Sequence, residues 1–218
     1  IFTELEFKSL LDKFVKKPQP QPKVANMQLD LFAENPTVDA VAPEISSFES
    51  LKTTHHEYQL VETEEDARRL FDFFVTKQIL SLDTETTSVN PIDAELVGLS
   101  FAVEEGKAFY VAIPAEREKA ERIVNIFKPL YESTQILKIG QNIKYDMEVL
   151  MNYGVRLAAP MFDTMIAHYV LQPEQKHNMD ILAETLLGYQ TIHIDELIGP
   201  KGKSQKNMCD LSPADICD

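Results

Sequence analysis

The sequence predicts an α/β domain in which helices cover a mixed β-sheet. Strand-like stretches come first, at 58–61, at 80–85 and in the hairpin 95–113. After them, strand-like and helix-like patterns alternate along the chain. Antiparallel strands followed by strand–helix units are typical of one mixed sheet with helices packed on it.

Local patterns place the individual elements. Thr63, Asp163 and Asn178 are suitable N-cap residues for three helices, and Glu105-Gly106 is the turn of the hairpin. The other predictions are a strand at 136–139 and helices after Thr63 and at 116–131, 142–153, 163–171 and 178–187.

The N-terminal stretch has a different composition. Residues 1–15 carry apolar side chains at helical spacing, so we expect them to end a preceding domain. Residues 16–56 hold five of the chain's 12 prolines among Gln, Ala, Ser and Asn, which predicts an extended linker. The globular domain is then expected at 57–218.

One apolar motif interrupts this linker: Gln28, Leu29, Asp30, Leu31 and Phe32. QLDLF resembles the short motif by which bacterial replication proteins dock into the sliding clamp. The alternative is that these side chains pack on a neighbouring domain, because a motif of five residues also recurs by chance.

The charge of the chain excludes one way of binding nucleic acid. The formal net charge is −14 over 218 residues, whereas a surface that grips phosphate as a whole needs a basic face. An acidic site that meets phosphate through metal ions stays compatible with this charge. No apolar run approaches the roughly 20 residues of a membrane span.

Two acids follow an apolar strand at Asp83 and Glu85. Side chains alternate along a strand, so both carboxylates project from the same face. Like charges held this close repel each other unless a cation lies between them. Taken alone, two acids at an exposed strand end are the commoner explanation of such a pair.

A third acid, Asp146, ends the stretch GQNIKYD and lies four residues after Asn142 on a predicted helix. The strand at 136–139 feeds this helix and can bring Asp146 beside Asp83 and Glu85. Three converging carboxylates would form an all-oxygen site suited to Mg²⁺ or Mn²⁺.

Three longer stretches resemble one family. LDTETTS, KIGQNIKYDMEVLMNYGV and FDTMIAHYVLQPEQKHNMDILAETLLGYQTI are similar to the 3′→5′ proofreading exonuclease domain of bacterial DNA polymerase I, family A. LEFKSLLDKF, within residues 1–15, is similar to the end of the 5′-nuclease domain that precedes it. The resemblance implies a ribonuclease-H-like mixed β-sheet flanked by helices, with polymerase and 5′-nuclease domains in the same chain.

The resemblance also implies the chemistry of the site. The family uses four carboxylates and two divalent metal ions, Mg²⁺ or Mn²⁺, to hydrolyse the 3′-terminal phosphodiester of DNA. Asp83 would bridge both ions, Glu85 would complete the ion that activates water, and Asp146 would serve the second ion.

Contacts with a single-stranded DNA 3′ end are implied at further positions. Val89 falls where the family places an apolar wedge between the last two bases. Gln141 and Asn142 match residues that touch the strand, and Lys176 and His177 fall where a basic pair is expected. An ordinary solvated loop is an equal alternative for Lys176 and His177.

The family's last motif, a tyrosine with an acid four residues later, is not found after Asp146. The three later tyrosines and the residues at that distance are Tyr153 with Leu157, Tyr169 with Pro173, and Tyr189 with His193. Ser212 and Pro213 predict a helix start close to Asp218. We therefore expect the chain to be cut before this motif and to have weak or absent exonuclease activity.

Two other functions stay open at this point: a non-catalytic spacer or clamp-binding module, and an exoribonuclease of the same superfamily. Cys209 and Cys217 have the spacing of no known metal site, and reduced thiols fit a cytosolic protein. A bacterial cytoplasmic, nucleoid-associated location is the corresponding expectation.

Overall fold

A computed structural model describes residues 48–200, 202 and 205–217. The predicted helix within 1–15 and the QLDLF motif lie outside these residues. The eight strands described are β1 (Glu49–Ser50), β2 (Glu57–Val61), β3 (Ile79–Thr86), β4 (Leu96–Glu104), β5 (Lys107–Ala112), β6 (Leu137–Gly140), β7 (Met161–Asp163) and β8 (Tyr189–Gln190).

Six of these strands form one mixed sheet in the order β2-β5-β4-β3-β6-β7. The pairs β3–β4 and β4–β5 are antiparallel, whereas β2–β5, β3–β6 and β6–β7 are parallel. β1 and β8 form a separate parallel pair. The predicted mixed sheet is therefore confirmed, with β3 near its centre.

Helices and tighter turns connect the strands. The α-helices are α1 (Glu64–Phe74), α2 (Arg117–Tyr131), α3 (Ile143–Met151), α4 (Thr164–Leu171), α5 (Met179–Leu182), α6 (Ile194–Ile198) and α7 (Pro213–Cys217). A π-helical turn, Ala183–Leu187, continues α5, and a 3₁₀ turn covers Met208–Asp210.

Two predicted helix caps are confirmed. The Thr63 hydroxyl accepts a hydrogen bond from the Asp66 backbone N–H, and the Asp163 carboxylate accepts one from the Ile166 N–H. Asn178 occupies the N-cap position of α5, but its side chain makes no capping hydrogen bond.

The structure differs from the predictions mainly in short elements, and β8, α6 and the 3₁₀ turn were not predicted. The helix expected over 178–187 is α-helical for only four residues before it widens into the π turn. There the Thr185 hydroxyl donates to the Ile181 carbonyl four residues earlier, a side-chain bond that competes with regular helix geometry. β7 was not predicted, because three residues are too short for an alternation pattern. β1 adds a short strand within the stretch expected to be linker.

The core lies between the sheet and helices α1, α2 and α3. Phe101 of β4 packs against Phe74, Phe127 and Tyr131, with ring centroids 5.3, 5.0 and 5.9 Å apart. All four side chains are at least 98% buried. In the part of the chain that the structure describes, no helix is both long and apolar enough to cross a membrane.

Candidate active site

Strand β3 sends alternate residues to opposite faces of the sheet. Leu80, Leu82 and Thr84 face the core and are only 1%, 3% and 7% exposed. Asp83 is exposed and Glu85 half-buried. This alternation follows from the pleat of the strand, and it places both carboxylates on the face away from the core.

The carboxyl groups of this face resist ionising together. The pKa of Asp83 is raised from 3.8 to about 8, first by desolvation of the carboxyl group, although the residue as a whole is exposed, and then by the charges of Asp146 and Glu85, while the Thr84 N–H lowers it. The pKa of Glu85 is also raised, by burial and by the charge of Asp146. Asp83 keeps contact with solvent, which screens part of this repulsion. A cation bound near these acids would stabilise their ionised forms.

Asp146 lies in the first turn of α3, with only 1% of its surface exposed. Its Oδ1 atom accepts hydrogen bonds from the Thr84 backbone N–H at 2.9 Å and from the Thr84 hydroxyl at 2.7 Å. Burial raises the pKa of Asp146 to about 6 against the opposing effect of these bonds. The pattern of acidic residues did not reveal Thr84, although it stands between Asp83 and Glu85.

The carboxylates have the chemistry of a divalent-metal site, but they are not arranged as a finished one. Among the described residues, no three His, Cys, Asp or Glu side chains form a group that could hold a metal ion. Asp146 raises the pKa values of both Asp83 and Glu85, while its Oδ1 is bonded to Thr84. What fits Mg²⁺ or Mn²⁺ is the type of donor, since both ions prefer the oxygen ligands that these carboxylates offer.

Gln141 and Asn142 form the link between β6 and α3. Asn142 has the left-handed conformation, with φ 60° and ψ 42°, which asparagine tolerates better than most residues. The Gln141 amide donates to the His177 carbonyl at 2.7 Å and accepts from the Thr164 hydroxyl at 2.5 Å. Gln141 is thus held in place by two segments distant in sequence.

Asp163, which the sequence indicated only as the cap of α4, also reaches α3. Its carboxylate accepts hydrogen bonds from the backbone N–H groups of Asn142 at 3.3 Å and Ile143 at 2.9 Å. No local pattern could have shown this contact, because it depends on β7 pairing with β6.

Lys176 and His177, which the resemblance pairs, have different surroundings in the structure. Lys176 is exposed, whereas His177 is half-buried against α4. The Nδ1 atoms of His177 and His168 are 2.7 Å apart, and the Tyr169 ring contacts His177 edge-on. His177 is therefore packed between side chains of the fold.

Val89 lies on the loop that follows β3 and is 96% exposed. The loop is nevertheless well anchored. The Tyr145 hydroxyl donates to the Ser88 carbonyl, and the side-chain amides of Asn152 and Asn207 donate to the carbonyls of Pro91 and Thr87. An apolar side chain is thus presented to solvent on a fixed backbone.

A cleft of about 620 Å³ opens beside Asp83. Its lining is mostly apolar and includes Phe162, Leu171, Met179 and Leu186, with Gln141 at the polar end. Clefts of this size with few polar groups are typical of small-molecule and cofactor sites.

The mixed sheet, with acids at the end of its central strand and a third acid on the helix after β6, defines a ribonuclease-H-like 3′–5′ exonuclease. The chain belongs to the 3′–5′ exonuclease family of DNA polymerase I, since the model of that family, described as 3′-5′ exonuclease, matches residues 58–210.

Two relatives in this family are named DNA polymerase I. The protein of Borreliella burgdorferi is 30% identical over 193 residues, which cover 87% of this chain and 21% of the relative. The protein of Pseudomonas aeruginosa is 38% identical over 149 residues, covering 62% and 16%. The chain therefore spans only about a fifth of the length of the relatives it matches.

Solved structures share the fold at low identity. Escherichia coli RNase D, an exoribonuclease involved in structured RNA processing, has a TM-score of 0.54 at 19% identity, covering 73% of this chain and 41% of RNase D. Brucella melitensis NrnC with bound Mg²⁺ has a TM-score of 0.50 at 20% identity, covering 69% and 71%.

Proposed function

We propose that the chain is the 3′→5′ proofreading exonuclease domain of a DNA polymerase I and hydrolyses the 3′-terminal phosphodiester of DNA. The observation that carries this proposal is the family match over residues 58–210, a span that holds the three carboxylates Asp83, Glu85 and Asp146. A phosphodiester can approach such a site only with compensating cations. Family membership supports DNA as the substrate.

Asp83 and Glu85 would hold two divalent ions, Mg²⁺ or Mn²⁺, with Asp146 serving the second. When bound, such ions lower the pKa of the attacking water and stabilise the leaving 3′ oxygen. The NrnC structure with Mg²⁺ supports this choice of metal within the fold.

The reaction is a hydrolysis at phosphorus. A water oxygen bonds to the 3′-terminal phosphorus, the bond from phosphorus to the preceding 3′ oxygen breaks, and that oxygen takes up a proton. The products are a nucleoside 5′-monophosphate and a strand shortened by one nucleotide. The role of the protein side chains is to orient the phosphodiester beside Asp83 and to balance charge around it.

The substrate contacts are proposed from the family resemblance and from the exposure of the side chains. Val89 offers an exposed apolar side chain on an anchored loop, which suits sequence-independent contact with bases. Gln141 and Asn142 would contact the strand, and Lys176 a phosphate. His177 would act mainly by packing, because its ring lies against His168 and Tyr169.

Activity of these 218 residues is proposed to be weak. The tyrosine-and-acid motif that completes the family's water-activating ion is not found after Asp146. Asp83 and Glu85 would therefore bind that ion with too few protein ligands.

A single-turnover assay tests both the proposed hydrolysis and its expected low rate. A 3′-labelled DNA single strand is mixed with excess protein and Mn²⁺. We expect slow release of the labelled mononucleotide, which stops with a chelator or with Asp83→Ala and persists with Asp72→Ala on the exposed face of α1. Release that persists in Asp83→Ala contradicts the proposed site at Asp83. Rapid multiple turnover contradicts the proposed weak activity. Absence of any release would favour a non-catalytic spacer.

An exoribonuclease is a second candidate, because RNase D shares the fold. The same assay with an RNA strand of equal sequence discriminates the two. Preferential cleavage of DNA supports the proofreading function, and preferential cleavage of RNA overturns it.

A role for QLDLF is a separate proposal, which rests on the sequence alone. Leu29, Leu31 and Phe32 would dock into a hydrophobic groove of the sliding clamp. Calorimetric titration with the clamp tests this. Binding that Phe32→Ala abolishes supports the contact, and equal binding by this variant contradicts it.

A further inference from the structure

Asp163 is a half-buried carboxylate that the proposed hydrolysis does not use. It lies where β7 ends and α4 begins, and its β-sheet partner is Gly140 at the end of β6. Its Oδ1 accepts from the N–H groups of Ile166 at 3.0 Å and Asn142 at 3.3 Å. Its Oδ2 accepts from the N–H of Ile143 at 2.9 Å. One carboxylate thus caps two helices.

The physical reason is that both helices expose unsatisfied N–H groups at their first turns. A negative charge there is stabilised by direct hydrogen bonds and by the helix dipoles. α3 has no cap of its own, because the Asn142 side chain makes no capping bond. Asp163 supplies that cap from a strand 20 residues later in the sequence.

The start of α3 determines where Asp146 lies. Asp146 is in the first turn of this helix, and its Oδ1 meets the backbone and side chain of Thr84 on β3. A shift of the first turn would therefore move the Asp146 carboxylate relative to Asp83 and Glu85. Asp163 is close enough that its charge contributes to the raised pKa of Asp146.

We propose that Asp163 is a positioning residue of the nuclease site, which fixes the first turn of α3 and thereby holds Asp146 beside β3. The expected effect on metal binding rests on the proposed metal-dependent function. The effect on the positions of α3 and Asp146 can be measured without metal. Both oxygens of Asp163 are already occupied by three N–H groups, so its role is to hold α3 rather than to bind the ion.

Three variants separate positioning from simple helix capping. Asp163→Ala removes the shared cap. Asp163→Asn keeps one acceptor oxygen and can still cap a helix, because asparagine is a good N-cap. Thr63→Ala is the matched control, because it removes the cap of α1, which carries none of the site carboxylates. Asp163→Ala and Thr63→Ala are both expected to lower the melting temperature by a few degrees.

The first readout is amide hydrogen exchange in metal-free protein. The Thr84 N–H donates to Asp146, so its exchange rate reports on the position of that carboxylate from a different strand. We expect faster exchange at Thr84, Asn142 and Ile143 in Asp163→Ala, a smaller change in Asp163→Asn, and wild-type exchange at these positions in Thr63→Ala.

The second readout is the affinity for Mn²⁺, measured by electron paramagnetic resonance of the unbound ion. We expect Asp163→Ala to weaken binding about tenfold, as loss of a partner behind a metal ligand does, and Thr63→Ala to leave it unchanged. Unchanged Thr84 exchange in Asp163→Ala overturns the inference, and so does loss of Mn²⁺ affinity while Thr84 stays protected. If the wild type binds no Mn²⁺, the proposed function fails, and the exchange data alone decide the role of Asp163.

Discussion

Thr84 is the residue that joins the two parts of the candidate site. Its neighbours Asp83 and Glu85 face away from the core, while its own N–H and hydroxyl both donate to the buried Asp146. A buried carboxylate without such donors carries a large desolvation cost. The position of Asp146 therefore depends on a threonine that carries no charge.

Removing the Thr84 hydroxyl is expected to destabilise the protein. Thr84→Val keeps the shape of the side chain but leaves Asp146 with one donor fewer, which costs about 1–3 kcal/mol. Thr84→Ser keeps the hydroxyl and serves as the control, with a smaller loss. Urea unfolding at pH 7 measures both, and an equal loss in the two variants would show that the methyl group matters instead.

Asp83 is expected to make metal-free stability fall with rising pH. Its pKa is raised from 3.8 to about 8 in the folded chain, so the folded state keeps a proton that the unfolded state has released between these values. A state that binds more protons loses relative stability as pH rises. Stability linked to this group is thus complete below about pH 4 and lost as the pH approaches 8.

Asp83→Asn removes this dependence. With a chelator present, we expect its melting temperature to exceed that of the wild type by a few degrees at pH 8 and to equal it near pH 3. Solvent contact at Asp83 keeps the effect modest. A difference of the same size at both pH values would attribute it to packing rather than to ionisation.

At the scale of elements, β4 and β5 meet at a close approach beside Glu85. Gly98 pairs with Glu85 across β3 and β4, and the Tyr110 ring covers its Cα. A Cβ atom at Gly98 would lie 2.1 Å from the Tyr110 hydroxyl oxygen, closer than atoms can approach. This pair of strands therefore needs glycine at position 98 for space, not for backbone conformation.

Gly98→Ala is expected to destabilise the sheet by about 1–3 kcal/mol through overpacking. Tyr110→Val removes the ring end that causes the clash, so the double variant should lose less than the sum of the single variants. Urea unfolding of the four proteins measures this coupling. Strict additivity would show that Tyr110 is not what limits position 98.

For the whole molecule, a net charge of −14 opposes the approach of the proposed nucleic-acid substrate, and cations bound at the carboxylates would offset this repulsion. Binding of an ion to the folded chain alone must also stabilise it by mass action. The bound ion should most stabilise the carboxylates that repel one another in its absence.

Mn²⁺ is therefore expected to raise the melting temperature, and a chelator to reverse the change. At a concentration of 100 times the dissociation constant, the gain in unfolding free energy is about 2.7 kcal/mol. Because protons compete for Asp83, the gain should be larger at pH 8 than at pH 6. Calorimetry of the wild type and of Asp83→Asn checks this, and an equal gain in the variant would place the ion elsewhere.

Much of the fold was predictable because its determinants are local. Alternation along β3, the Glu105-Gly106 turn and the caps at Thr63 and Asp163 each depend on a few adjacent residues, and all are observed. The three-residue β7 and the π turn after α5 were missed. A strand so short leaves no periodicity, and the π turn has the same side-chain pattern as an α-helix.

The sequence by itself determined which face of β3 is acidic, because the period of a strand is fixed by covalent geometry. Only the tertiary structure decided what holds Asp146 and the start of α3. Thr84 and Asp146 are 62 residues apart, and Asp163 lies 20 residues beyond Ile143. Such contacts depend on the order of β3, β6 and β7 in the sheet. Hydrogen bonds between strands set this order, and local sequence patterns do not contain it.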